Sequence, residues 1–183
     1  MGDLFCPVDG RQALAMFEPR TDERTLADDP ARMEPDGHVV FIGRIASPWT
    51  ERADCPKNMR QARERNATAT LVLDPAYREG LAGLEGYSHV HILTWLHHAP
   101  RNLIVQKPRH APDAKGVFAL RSPARPNPIG LHTARIVHID AGTGTVELDA
   151  IDALDGTPVL DIKPYFPSVD AIAEAAIPSR DPA

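Results

Sequence analysis

A chain of 183 residues, 43% hydrophobic and 25% charged, has the composition of one folded domain with a single core and not of a disordered segment. Its net charge of -5 excludes a surface that is basic throughout, so a nucleic-acid partner needs a local positive patch. The 18 prolines work against long helices and favour short strands joined by stiff turns.

Residues 1–36 are rich in Asp and Glu among scattered prolines, with one apolar patch from Ala13 to Phe17. They read as an extension ahead of the main domain, either ordered against it or mobile. The β-branched run His38 to Ser47 predicts a strand ended by Pro48, and Trp49 to Arg65 is polar and irregular. Ala69 to Leu73 is a second short strand. Asp74-Pro75 then signals a helix start, with Leu81 and Leu84 on one face and Gly86 as the stop. From Tyr87 to Leu96 the alternation of a strand puts His89 and His91 on one face. No third ligand follows at a metal-binding spacing, so they read as polar strand positions. His97-His98 closes that strand.

Leu103 to Gln106 predicts a brief strand. The loop Lys107 to Lys115 carries Lys107, Arg109, His110 and Lys115; with Arg121 and Arg125 it forms the one dense positive cluster of an acidic chain. Gly116 to Leu120 is short and apolar and reads as a strand. Pro123, Pro126 and Pro128 allow neither helix nor central strand beyond it. The result is a stiff loop bearing Arg121, Ser122, Arg125 and Asn127, whose two guanidiniums suit carboxylate or phosphate oxygens or simply solvate a surface turn. Alternating runs at Leu131 to Ile139 and Gly144 to Ile151 predict a hairpin turning at Asp140 to Thr143. A turn at Asp155 to Pro158, a last strand from Val159 to Ile162 and a short helix over Ser168 to Ala176 capped by Ser168 complete the pattern. Many short strands, few helices and no Gly-x-Gly-x-x-Gly after a strand predict a mainly β fold, a β-barrel rather than a doubly wound sheet.

The two cysteines, Cys6 and Cys55, lack metal-knuckle spacing and read as free thiols. No apolar run reaches membrane-spanning length, and no basic-then-hydrophobic leader opens the chain. The expected location is the cytoplasm.

Two stretches carry a resemblance. The string GVFALRSPARPNPIGLH from Gly116 to His132, followed by Asp155-Gly156-Thr157-Pro158-Val159-Leu160-Asp161-Ile162-Lys163-Pro164-Tyr165, is similar to the signature of the TrmO family, also called YaeB-like. The similarity spans about Val39 to Tyr165. It implies a single compact β-barrel domain with short peripheral helices over 37–167, preceded by the extension and followed by a short helix and tail over 168–183. It implies S-adenosylmethionine as cofactor, usually in a homodimer. It also implies methylation of N6 of threonylcarbamoyladenosine beside the tRNA anticodon, with no DNA or membrane partner.

The family's Pro-Arg-Gln triplet corresponds here to Pro56-Lys57-Asn58. Cofactor contacts carried over by resemblance are Pro56, Lys57, Asn58, His97, His98, Arg121, the backbone at Leu131, and Asp149, Ala150, Ile151 and Asp152. The two acids, at i and i+3, would hold ribose hydroxyls or the amino group of the methionine moiety, or else face water. Arg125 and Asn127 would face the acceptor, with Lys107, Arg109 and Lys115 on tRNA phosphates. The acceptor's proton would pass to His97, Asp152 or water, and no metal is implied. The larger relatives carry a further C-terminal domain for which this chain leaves no room. Three alternatives stand beside this reading: a module that binds S-adenosylmethionine or RNA without turnover, a methyltransferase with another acceptor, and a metalloenzyme resting only on eight dispersed histidines.

Overall fold

The computed structural model describes residues 18–109 and 111–177; Cys6, His110 and the Ala13 to Phe17 patch lie outside them. The described residues are mainly β, and they divide into two compact units, one formed by residues up to His38 with Leu96–Ile129, the other by Val39–Trp95 with the residues from Gly130 onward.

The second unit is a closed six-stranded barrel. In chain order its strands are β2 (Gly43–Ala46), β3 (Ala69–Leu73), β4 (His89–Trp95), β7 (Ile129–Asp140), β8 (Thr145–Leu148) and β9 (Pro158–Pro164). Around the barrel they run β2-β3-β8-β7-β4-β9, and β9 closes on β2 with Gly43 opposite Val159. Alternation decides what faces inward: Ile45 on β2, Leu71 and Leu73 on β3, Val90 and Ile92 on β4, Val146 and Leu148 on β8, and Val159 on β9 are all buried in one aliphatic cluster. Each such side chain contributes roughly 1.5–3 kcal/mol by leaving water. Gly43 is required where β2 meets β3, because a Cβ there would collide with the Val72 carbonyl and lie 2.9 Å from Leu73 Cα.

The hairpin between β7 and β8 turns where expected. Asp140 Oδ1 accepts from the Gly142 and Thr143 amides at 2.9 and 3.2 Å, and Gly144 takes φ 76°. The segment predicted to be irregular contains a helix, α1 (Met59–Glu64). Its cap is polar and short-range: Asn58 Oδ1 accepts from Gln61 N at 3.0 Å and Gln61 Oε1 from Lys57 N at 3.0 Å. The helix expected after Asp74-Pro75 is two 3-10 turns, Pro75–Leu81 and Leu84–Gly86. Gly83, at φ 84°, breaks the run between them, and Asp74 makes no side-chain cap bond; Leu81 and Leu84 are nonetheless both buried. The last helix, α2, covers only Pro167–Asp170, so Ser168 lies inside it, and Asp170 Oδ2 accepts from Phe166 N at 2.7 Å. His89 and His91 do share a face of β4, where both rings meet Tyr165 edge-on.

The first unit holds a small sheet ordered β1-β5-β6, from β1 (Arg24–Thr25), β5 (Leu103–Gln106) and β6 (Lys115–Gly116). Part of the acid-rich N-terminal segment is thus a strand, paired antiparallel with β5. The strand predicted over Gly116 to Leu120 is instead a 3-10 turn at Val117–Ala119, closed by Leu120 N donating to Val117 O at 3.2 Å. Its side chains do not alternate as a strand's would: Val117 is fully buried, while Phe118 is 80% exposed.

Candidate active site

In the barrel, one polar chain interrupts the aliphatic interior. On β7 the inward positions are Gly130, His132 and Ala134, and on β4 the inward set ends at Thr94. Thr94 Oγ1 lies 2.9 Å from His132 Nε2, and His132 Nδ1 lies 2.6 Å from Asp152 Oδ1. Thr94 is fully buried and His132 nearly so, whereas the Asp152 side chain remains 18% exposed. Among the described residues, only Oδ1 of Asp152 is hydrogen-bonded. A line of hydrogen bonds therefore runs from the barrel interior to a carboxylate whose second oxygen is available.

The residues around Asp152 fix its backbone. Trp49 Nε1 donates to Ile151 O at 2.9 Å, and Ala150 and Ile151 are fully buried. The Arg65 guanidinium sits 5.1 Å from the centre of the Trp49 ring and also donates to Asp54 O. Cys55 is close enough to be affected by the same charge. Burial first, then the Asp152 carboxylate, push its thiol up to about 11 against the opposing pull of Arg52 and Arg65.

The other barrel residues singled out in the sequence fall into different environments. Asp149 is committed to the scaffold: Oδ2 accepts from Arg63 Nε at 3.0 Å and Oδ1 from Arg135 N at 2.8 Å, while Arg63 also donates to Thr133 O at 2.7 Å. Neither the water-facing carboxylate nor the ligand-facing one describes it. Pro56 is buried, Lys57 is exposed, and the Asn58 carboxamide is used as the α1 cap. Leu131 points outward and is 49% exposed, as its odd position beside His132 requires.

In the first unit, the rings of His97 and His98 stack with centroids 3.8 Å apart and planes tilted by 43°. Arg121 is exposed. Arg125 does not extend outward as the sequence suggested: its Nη2 donates to Val117 O at 2.6 Å and Leu120 O at 2.5 Å, pinning both ends of the 3-10 turn. A guanidinium offers several donors in a fixed fork, which two carbonyls one turn apart can satisfy. Asn127 is exposed, but its Oδ1 accepts from Arg101 Nη2 at 3.2 Å, and Arg101 Nε donates to Pro126 O at 2.7 Å. Lys107 is paired with Asp22 at 2.9 Å, and its amide donates to Glu23 Oε1 at 3.2 Å. Arg109 and Lys115 are exposed. The expected basic cluster is thus partly neutralised from within its own unit.

Sequence reasoning passed over His132, Arg63 and Arg101. His132 was legible as a polar residue on the inward parity of an alternating run, between Gly130 and Ala134. The two arginines had no such signal, because their carbonyl partners lie far away in sequence.

The comparisons place this architecture. The model of the tRNA-methyltransferase O N-terminal domain matches residues 44–171. A probable S-adenosyl-L-methionine-binding protein, VirR of Rhizobium radiobacter, is 39% identical over 131 residues, 72% of each chain. The tRNA (adenine(37)-N6)-methyltransferase of Escherichia coli is 34% identical over 141 residues, 74% of this chain and 60% of the enzyme. A crystal structure of TrmO from Pseudomonas aeruginosa superposes with a TM-score of 0.62 at 38% identity, covering 78% of this chain and 62% of that one. The chain therefore spans less than two thirds of the length of these two enzymes, and it belongs to the family of the tRNA-methyltransferase O N-terminal domain.

Proposed function

We propose that this protein is an S-adenosylmethionine-dependent tRNA methyltransferase that acts on N6 of the adenosine at the position named for its relatives, 37, with threonylcarbamoyladenosine as the preferred acceptor. The observation that carries the reading is the Asp152 carboxylate, held through one oxygen and available through the other, inside the segment matched by the family model. Its chemistry fits the cofactor, since a carboxylate accepts hydrogen bonds from ribose hydroxyls or an ammonium group.

When bound, S-adenosylmethionine supplies a methyl group already activated on a sulfonium. The chain's task is then to hold donor and acceptor in line and away from water. In the barrel, Asp152 with the backbone of Ala150, Ile151 and Leu131 provides cofactor contacts, and Lys57 is the member of its triplet whose side chain is left to do so. Asp149 and Asn58 support the site through Arg63 and α1. By resemblance, His97, His98 and Arg121 are also cofactor contacts. Arg109 and Lys115 are phosphate contacts, and an unpaired anticodon-loop base reaches a pocket without melting a duplex. The proton lost from N6 passes to a base for which Asp152 and His97 are the candidates; pH–rate profiles of Asp152→Asn and His97→Gln separate them. A cytoplasmic homodimer belongs to the same reading, and sedimentation of the purified chain checks the second half of it.

The inward turn of Arg125 and the Asp22 partner of Lys107 favour one alternative, a methyltransferase with a different acceptor. Nucleoside mass spectrometry of tRNA from a methylation-deficient strain decides between them, after incubation with the protein and S-adenosylmethionine. One added methyl on threonylcarbamoyladenosine supports the preferred acceptor. Methylation of another nucleoside supports the alternative, and cofactor binding with no product supports a non-catalytic module.

A further inference from the structure

We infer that His132 is a positioning residue for Asp152: its Nδ1–H is donated to that carboxylate, and its Nε2 is held by the Thr94 hydroxyl. This rests on the reading of Asp152 as the cofactor-contacting carboxylate, and the geometry that supports it is independent of any bound group.

The assignment follows from what each atom can do. An ionised carboxylate only accepts, so the 2.6 Å contact between His132 Nδ1 and Asp152 Oδ1 requires the proton on Nδ1. In a neutral imidazole that leaves Nε2 as an acceptor, and the Thr94 hydroxyl 2.9 Å away is a donor able to meet it. Both ring nitrogens and the hydroxyl are then satisfied in a place where an unpaired polar atom is costly. Thr94 has no exposed surface, and His132 is 4% exposed. The opposite tautomer would set a bare Nδ1 lone pair against the carboxylate.

Strand parity makes the arrangement rigid. Thr94 and His132 lie on barrel strands that are neighbours, both pointing inward, so neither can leave the line without turning its strand. Asp152, by contrast, follows β8 in an irregular segment, where a carboxylate on a short side chain would otherwise rotate. With Oδ1 fixed by the ring, Oδ2 has one direction, and the rotamer freedom that a ligand would have to remove is already gone. The ordinary alternative is a satisfied core histidine that stabilises the barrel and does nothing for Asp152.

Two measurements on the full chain separate these. Nitrogen-15 NMR of the histidine rings without cofactor, at about pH 8 where an ordinary imidazole is neutral, should show His132 protonated on Nδ1, its signals being assigned by their loss in His132→Asn. Protonation on Nε2 alone would overturn the inference. Calorimetric titration with S-adenosylmethionine then compares His132→Leu, which has no donor, with His132→Asn, whose amide can occupy the Nδ1 position. His132→Leu should weaken binding about tenfold, and His132→Asn should recover most of that loss, the scale of one hydrogen bond to a charged group. Both variants should melt below the wild type, because both lose the bond to Thr94. Equal affinities in the two variants, whether both normal or both reduced, would mean that the ring serves the core alone. Should the wild-type protein fail to bind S-adenosylmethionine, the functional reading falls, while the ring spectrum still tests the tautomer.

Discussion

The two units solve the same problem with different chemistry. The barrel is filled by aliphatic side chains from every strand, joined by a line of hydrogen bonds from Thr94 to Asp152. In the other unit the buried apolar cluster among the described residues is Leu103, Val117 and Ala124, and cationic side chains do much of the fixing. Arg20 reaches Lys107 O, Arg101 reaches Pro126 O, and Arg125 reaches Val117 O and Leu120 O. A proline-rich loop makes few backbone hydrogen bonds of its own, so its carbonyls need outside donors, and a guanidinium can serve more than one. Arginines in such a loop are thus as readily structural as ligand-binding, and their number alone does not measure a phosphate site.

The sharpest way to test this contrast is to remove apolar volume from the barrel. Leu148→Ala should cost about 3 kcal/mol in chemical denaturation, since Leu148 is fully buried in the aliphatic cluster. A loss below about 1 kcal/mol would mean that the interior collapses easily and that the barrel is not held by packing.

The counterpart in the other unit is Glu23, whose side chain has no exposed surface and accepts from Arg20 and from the Lys107 amide. Burial alone raises its carboxyl, but the hydrogen bonds from the Arg20 side chain, the Arg20 amide and the Lys107 amide outweigh burial and hold it below the ordinary value. Because the folded pKa is depressed, the stabilisation is complete above the unfolded value of about 4.3 and is lost as pH falls through the lower folded one. Glu23→Gln should speed amide exchange in β1 and β5 by the equivalent of about 2 kcal/mol at neutral pH, and abolish the acid-induced increase below about pH 4. Exchange that accelerates equally in acid with and without the carboxylate would assign the loosening to another group.

Arg125→Ala should have a smaller effect, about 1–2 kcal/mol, seen as faster exchange of the Leu120 amide and easier proteolysis near Phe118. Loss of tRNA affinity with no change in this local order would return Arg125 to the ligand-binding side of the comparison. Smallest in energy is the behaviour of Cys55. With its thiol pushed up to about 11, alkylation at about pH 8 should be on the order of 100-fold slower than for an unperturbed thiol, as read by peptide mass spectrometry. Asp152→Asn should speed it, by removing the charge that opposes the thiolate.

The barrel was largely legible in the sequence because strand period and burial are local signals. The runs at Ala69 to Leu73, Tyr87 to Leu96 and Leu131 to Ile139 alternate visibly, and the Asp140 turn carries its own hydrogen-bonding side chain. The 3-10 turn at Val117–Ala119 was not legible as one, since the donor that holds it, Arg125, lies beyond the apolar run and acts on carbonyls. Helix α1 was missed for a related reason: only Ala62 on it is buried, so it has almost no apolar stripe, and its signature is the Asn58 and Gln61 cap. In the candidate site, Asp152 was within reach through family resemblance. His132, which holds it, showed in the sequence only as a polar residue on an inward parity, and its link to Thr94 exists only when β4 and β7 lie side by side.

The pairing of Gly43 with Val159 sets a condition on how the protein is made. The barrel cannot close while β9 is still inside the ribosome, and at about 5–20 residues per second that delay is on the order of ten seconds after β2 has appeared. Throughout it, the edges of β2 and β4 that β9 will cover offer unpaired amides and carbonyls to any neighbouring chain. The first encounter of a nascent molecule with a chaperone, or with another copy of itself, is therefore expected at these two edges, and more at β4, where β9 covers the longer stretch.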